Sequence, residues 1–378
     1  MRHCREEFGQ SNHSRQGFDR WVRTVLLGVV SVVVLLGCSD GESTASTVAV
    51  EETVSPPPSS AASAVPEVSP APQSGSIWAT RAPLLDPNSE TAVAQLDGRI
   101  YVIGGYPSTR VYVNTVQVYD AQTDQWSYTT PVPQPLHHTM AAAVNGKLYV
   151  IGGEISMSGV ANQGIFIANV YEYDPATATW TEKTPMPTAR SAGATGVIDG
   201  KIYVAGGRPP RGHDFAVYDA SADTWTVLPN LPTQRNHLAA GAIDGLLYVV
   251  GGRFGGGVGS EMTDIVEVYD PASGNWRRAA SLPAARGGVN GIATRGCFYV
   301  FGGEGNDADP RGVFAELDVY DPRTDMWQNL EPIPTPVHGV TGAAVFDDWV
   351  HLPGGGTARG GNSGSTLHQA FRAEVDCR

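Results

Sequence analysis

The stretch AVNGKLYVIGG, Ala143 to Gly153, decides the fold. An alternating run meets Asn-Gly, a two-residue hairpin signal, and continues as a short apolar strand that ends in two glycines. Near copies stand at AQLDGRIYVIGG, GVIDGKIYVAGG, GAIDGLLYVVGG and GIATRGCFYVFGG, with a degraded one at AVFDDWVHLPGG. The first glycines of the pairs are 104, 152, 206, 251, 302 and 354, at intervals of 48, 54, 45, 51 and 52 residues. A period near fifty means one supersecondary unit repeated, because such a unit buries its apolar faces only against neighbours.

The rest of each unit agrees. Tyr119, Tyr173, Tyr218, Tyr269 and Tyr320 each begin a Tyr-Asp pair, and Trp126, Trp180, Trp225, Trp276 and Trp327 follow seven residues later. The constant spacing predicts two strands joined by a tight turn, so that each unit is four antiparallel strands, a to d. The glycines are expected to leave hollows for the Tyr and Trp rings, whose large buried areas would dominate the core. Five units are complete. The last stops at HQAFRAEVDCR, with Phe371 or Val375 at the Tyr position, and an orphan strand SIWATRAP with Trp78 precedes the first. Together the fragments predict one blade, completed by the N-terminal strand. Over residues 76 to 378 the chain thus resembles the kelch-repeat β-propeller family, the galactose oxidase and kelch type. The resemblance implies an all-β, six-bladed propeller whose ring is closed by an N-terminal strand, leaving no free inner edge.

Composition fits. The 45 Gly and 27 Pro, with 17% charged residues, suit short strands joined by turns rather than helices. A net charge of −13 with no basic stretch excludes binding to nucleic acid through phosphates. Cys4, Cys38, Cys297 and Cys377 are too scattered for a zinc framework.

Residues 1–37 read as a delivery device. Arg20 and Arg23 precede an apolar run from Val25 to Leu36, short for a bilayer span but suited to a signal-peptide core. The ending Leu35-Leu36-Gly37-Cys38 resembles a bacterial lipobox, which implies lipidation of Cys38. An uncleaved signal anchor or a plain secretory peptide is the alternative. Residues 38–75 are rich in Ser, Ala and Pro and contain no aromatic residue, Lys or Arg. Such a segment cannot bury enough apolar surface to fold and is expected to be a tether. The body would then sit outside the cytoplasm, in the cell envelope, held to a membrane through its lipid.

In a ring of antiparallel blades the b–c loops and d–a connections share one face, and here the b–c loops vary most. Function is expected on that loop face. Ten residues before the hairpin position stand Arg190, Arg235, Arg286 and His338, expected to ring the channel mouth as a local reversal of the acidic background. Arg208 and Arg253 follow the glycine pairs on the same face. These six residues are candidates for an anionic ligand, with structural ion pairs to neighbours such as Glu154 and Glu304 as the competing reading. Cys297 and Cys377 fall toward the opposite face in adjacent blades. A disulfide between them and two free thiols both remain open, since bridging depends on radial position.

No cofactor and no metal site is expected. The resemblance includes radical-copper oxidases, but their chemistry needs a cysteine set against a tyrosine at the metal, so His137-His138 reads as a strand start. The carboxylates of EGNDAD, Glu304 to Asp309, lack the ligand spacing of a calcium loop. The expected function is a monomeric binding propeller for a protein, peptide or glycan ligand. The alternative is a carbohydrate-active enzyme, such as a sugar epimerase, mutarotase or oxidase.

Overall fold

The structure, a computed structural model, describes residues 77–107, 111–156 and 164–378. The expected signal segment, Cys38 and the tether lie outside the described residues. Among those described there is no helix, and the strands form six sheets around a central channel. In blade 1, strand a is Thr91–Leu96, b Arg99–Ile103, c Val116–Asp120 and d Gln125–Thr129. Blades 2 to 5 repeat the order from Met140–Val144 to Met326–Asn329. Blade 6 takes Ala344–Phe346, Trp349–Pro353 and His368–Arg372 from the C-terminus and Trp78–Thr80 from the N-terminal side, with Trp78 opposite Phe371. The Tyr position of the last unit is therefore Phe371. Val340–Thr341 also pairs parallel to Thr91–Ala92, a second tie across the closure.

The glycine pairs serve a different purpose from the expected aromatic sockets. In every blade the second glycine donates its N–H to a carbonyl in the chain that leads into the next blade, at 2.8–3.1 Å: Leu136, Arg190, Arg235, Arg286, Val337 and Asn88 in turn. The same carbonyl sits where a Cβ on the first glycine would be, 2.5 Å away at Gly104 and 2.6 Å at Gly152. Both glycines also have positive φ, 59° and 102° at Gly104 and Gly105. A side chain would be strained and would push the next blade away.

The aromatic residues seal the outer part of the blades. Each Tyr lies opposite its Trp across strands c and d, with ring centroids 4.9–5.1 Å apart in all five complete units. Every one of these Trp indoles donates to a carbonyl just beyond strand d of the preceding blade, from Trp126 on Ala82 at 2.8 Å to Trp327 on Ala280 at 2.9 Å. Trp78 does the same to Glu331 at 3.3 Å, so the completed blade follows the same rule. Cys297 and Cys377 are joined in a disulfide, with Cα atoms 5.2 Å apart, which fastens the C-terminus to blade 5.

The seam between blades 6 and 1 contains two buried histidines. His368 donates from Nδ1 to the Ala82 carbonyl at 3.2 Å, so its Nε2 accepts from His351 Nδ1 at 2.9 Å, beside the ring of Tyr119. Burial pushes His351 down to about 4, with Arg81 adding to the shift and Asp124 opposing it. Burial and the neighbouring His351 and Arg81 hold His368 well below its ordinary value. The unfolded rings take protons below about pH 6.5 and the folded rings resist, so the unfolded state binds more protons in that window. Stability should be full above pH 6.5 and fall as the pH drops toward 4, by on the order of 1.4 kcal/mol per pH unit for each ring. Urea denaturation at pH 7 and at pH 4.5 measures this, and His351→Gln should flatten the profile.

Candidate functional site

The loop face of the channel is organised by one residue per blade, eight before the hairpin position in the first five: Glu90, His138, Ala192, His237 and Gly288, with Gly339 in blade 6. All six have positive φ, between 49° and 72°. Their backbones link adjacent blades, because His138, Ala192, His237, Gly288 and Gly339 each donate N–H to the carbonyl of the preceding member at 2.8–3.0 Å. Left-handed backbone is uncommon for residues with side chains and collects at functional sites. Here it turns Glu90, His138 and His237 toward one another: His138 Nε2 lies 2.9 Å from Glu90 Oε2 and 3.0 Å from His237 Nε2. Gly288 and Gly339 leave room. A Cβ on Gly339 would come within 3.0 Å of the Glu90 carboxylate.

Outward from this cluster opens a cavity of about 290 Å³, walled by Tyr106, Tyr112, Glu154, Arg208, Arg253 and Glu304, with glycine-rich loop at Gly256–Gly257 and Gly360–Gly361. Arg208 pairs with Glu154 at 3.0 Å, and Arg253 pairs with Glu304. The same guanidiniums reach the Nε2 atoms of His138 at 3.0 Å and of His237 at 2.8 Å. Both arginines keep an Nε–H without a partner. His338 Nε2 donates to Ala358 O at 2.7 Å, while its Nδ1 is 3.8 Å from Glu304 and 4.0 Å from Glu90.

Burial fixes the protonation states. It pushes His138 down to about 4 against the pull of Glu90, and it holds His237 well below its ordinary value with Arg253 assisting. Both rings are neutral at pH 7. Burial alone would raise Glu90, but His138, through its hydrogen bond and its charge when protonated, together with His338 and Arg253 outweighs it and holds the carboxyl well below its usual range. Burial raises the Tyr106 phenol well above its usual value, with Tyr112, Glu90 and Glu154 adding to the effect. Tyr106 therefore presents a hydroxyl, which meets His137 Nε2 at 3.0 Å.

Three of the arginines expected at the channel mouth lie elsewhere. Arg190, Arg235 and Arg286 are fully buried, with side chains folded along their own blades. Arg190 caps the carbonyls of Val204 and Asp214 at 3.2 and 2.9 Å. Arg235 caps Gly251 and Val249 and pairs with Glu267, while Arg286 caps Glu316 and pairs with Asp318. Their own carbonyls are the ones received by the glycine pairs. They hold the ring together and are not among the residues that wall the loop-face cavity. His338 is also displaced in register: Val337 supplies the equivalent carbonyl, and His338 bridges Gly356 as His137 bridges Glu154. One extra residue in the lead-in to blade 6, around Gly342 with its φ of 113°, accounts for the shift. Arg208, Arg253 and His338 do converge at the loop face. Glu90, His237, Tyr106 and Tyr112 were missed, although counting eight rather than ten residues back from the hairpin would have found the first two.

A six-bladed ring of four-stranded blades is the architecture of the Kelch-repeat propellers, which are typically protein-interaction scaffolds. The KLHDC2/KLHL20/DRC7 Kelch-repeats domain matches residues 76–252 and 183–355, and the chain belongs to this family. It is 34% identical over 294 residues to the Kelch-like protein terF of Aspergillus terreus, covering 75% of this chain and 53% of that protein. It is 29% identical over 115 residues to Kelch-like ECH-associated protein 1B of Danio rerio, covering 30% of this chain and 18% of that protein. The chain thus spans about half or less of the length of these relatives. The solved structure of YjhT aligns with a TM-score of 0.63 at 16% identity, over 78% of this chain and 96% of that one, and shows the same fold.

The buried arginines and the cavity arginines should separate in mutagenesis. Arg235→Ala leaves Glu267 at the blade interior without its principal cation and should cost about 3–5 kcal/mol. Arg208→Ala, on the cavity wall with 18% of its side chain exposed, should lower stability less. Denaturant midpoints of the two variants measure the difference, and equal losses would contradict the division.

Proposed function

We propose that this chain is a monomeric, extracytoplasmic binding propeller, lipid-anchored in the cell envelope, that receives a protein, peptide or glycan ligand on its loop face. The observation that carries the reading is the cavity beside Arg208 and Arg253. At about 290 Å³ it lies at the lower edge of small-molecule sites and has room for one sugar ring or one side chain. Tyr106 and Tyr112 offer amphipathic ring faces, and the guanidiniums of Arg208 and Arg253 at the cavity wall suit a carboxylate or another anionic group at the tip of the ligand. The family supports a protein ligand, as does the word ECH-associated in the name of one relative. The disulfide between Cys297 and Cys377 is in keeping with an oxidising compartment.

An array of acidic peptides and of glycans ending in uronic or sialic acid, probed with the purified protein, tests the ligand. Arg208→Ala should weaken binding to the best probe by about 1.5–3 kcal/mol, roughly ten- to a hundredfold. Wild-type affinity in that variant, or no binding to any probe, would count against the proposal. A carbohydrate-active enzyme is the second reading, favoured by the Tyr106 hydroxyl and the Glu154 carboxyl at the cavity wall. Conversion of a sugar probe, followed by NMR, would replace binding with turnover.

Anchoring is tested separately. The protein should partition into detergent and be recovered with membranes, and Cys38→Ser should release it. Membrane recovery unchanged in that variant would point to an uncleaved signal anchor.

A further inference from the structure

We propose that Glu90, His138 and His237 form a binding site for one divalent transition-metal ion of the zinc type, on the channel axis beneath the loop-face cavity. The three come from blades 1, 2 and 4, and the left-handed ring position aims all of them inward. One ligand atom from each lies within 4.8 Å of the other two, and all three residues are buried. Metal bonds of about 2.0–2.1 Å to N and O place tetrahedral ligand atoms about 3.3 Å apart, close to the 2.9 and 3.0 Å seen here. A void of about 20 Å³ bounded by these same residues, Gly288 and Gly339 has room for one water-sized species.

The hydrogen-bond directions strengthen the assignment. The Asn236 amide donates to the carbonyls of Arg253 at 3.1 Å and Gly255 at 2.9 Å, so its Oδ1 faces His237 Nδ1, 2.5 Å away, and can only accept. His237 therefore carries its proton on Nδ1 and turns the Nε2 lone pair to the axis. A second partner of this kind is what orients a metal-binding histidine. His138 is held in place by His137 at Nδ1, which continues to Tyr106, while its Nε2 faces both the Arg208 guanidinium and the Glu90 carboxylate. The His237 lone pair and the Glu90 carboxylate thus converge beside His138 Nε2; Arg253 and Arg208 hydrogen-bond the two Nε2 atoms at 2.8 and 3.0 Å and would turn aside for a metal ion. Glu154 and Glu304 pair directly with Arg208 and Arg253, while the Glu90 carboxylate faces His138. Two histidines and one carboxylate, with a fourth position left over, suit zinc with an exchangeable ligand.

Untagged protein stripped with EDTA and titrated with Co²⁺, then Zn²⁺, tests the site. One Co²⁺ per chain should bind with a Kd in the micromolar range or below, give the visible absorption of low-coordinate Co²⁺ with nitrogen ligands, and be displaced by Zn²⁺. Glu90→Gln preserves shape and should reduce affinity at least tenfold. Asn236→Leu, which frees the His237 ring, should reduce it roughly ten- to a hundredfold. Uptake only above about 100 µM, or affinity unchanged in both variants with an unaltered thermal transition, would overturn the proposal. The metal titration uses no loop-face ligand, so its outcome is independent of the binding reading above.

Discussion

The close approach of one blade's incoming backbone to the glycine pair of the blade before it is the constraint on which the molecule depends. At each junction a carbonyl is both hydrogen-bonded to the second glycine and seated where a side chain on the first would stand. The pair therefore sets the approach between blades, and six such junctions close the ring. Trp indoles repeat the arrangement at the periphery, each holding the chain as it leaves the preceding blade. The contacts are polar backbone contacts placed by small and large residues in alternation, which is why the repeat retains Gly, Tyr and Trp while other positions drift.

The buried arginines belong to the same scheme. Where strands b and c diverge at the loop face, their carbonyls lose ladder partners, and an unpaired buried carbonyl is costly. Arg190 and Arg286 supply fixed donors to such carbonyls, and Arg235 does the same at the end of strand b, two of the three with an acidic neighbour to balance the charge. In blade 1 the shorter Asn88 does comparable work, donating to Gly104 O at 2.5 Å. A repeated arginine in a propeller can thus reflect backbone satisfaction as readily as ligand recognition.

The channel end is made distinct by what the blades do not share. Six residues occupy one left-handed position, yet only Glu90, His138 and His237 carry polar side chains there, while Ala192, Gly288 and Gly339 withdraw. A ring with near sixfold geometry becomes asymmetric through those choices. The cavity above it is then lined by loops that differ from blade to blade, so that the scaffold is repetitive and the site is not.

The sequence alone determined the number of blades, the strand order and the closure through Trp78, because repeat period and Tyr-Trp spacing are local properties written in each unit. It also placed Arg208, Arg253 and His338 near the loop face. Only the tertiary structure decided which way they point. Strand alternation would put residues ten and eight before the hairpin on one side, so Arg235 and His237 read as neighbours facing the same way. The left-handed backbone at His237, φ 55°, breaks that alternation, sending the arginine into its blade and the histidine to the axis. Nothing local requires a histidine, a glutamate or an alanine to adopt that conformation. The hydrogen bonds from blade to blade around the ring impose it, and they exist only once the ring has closed.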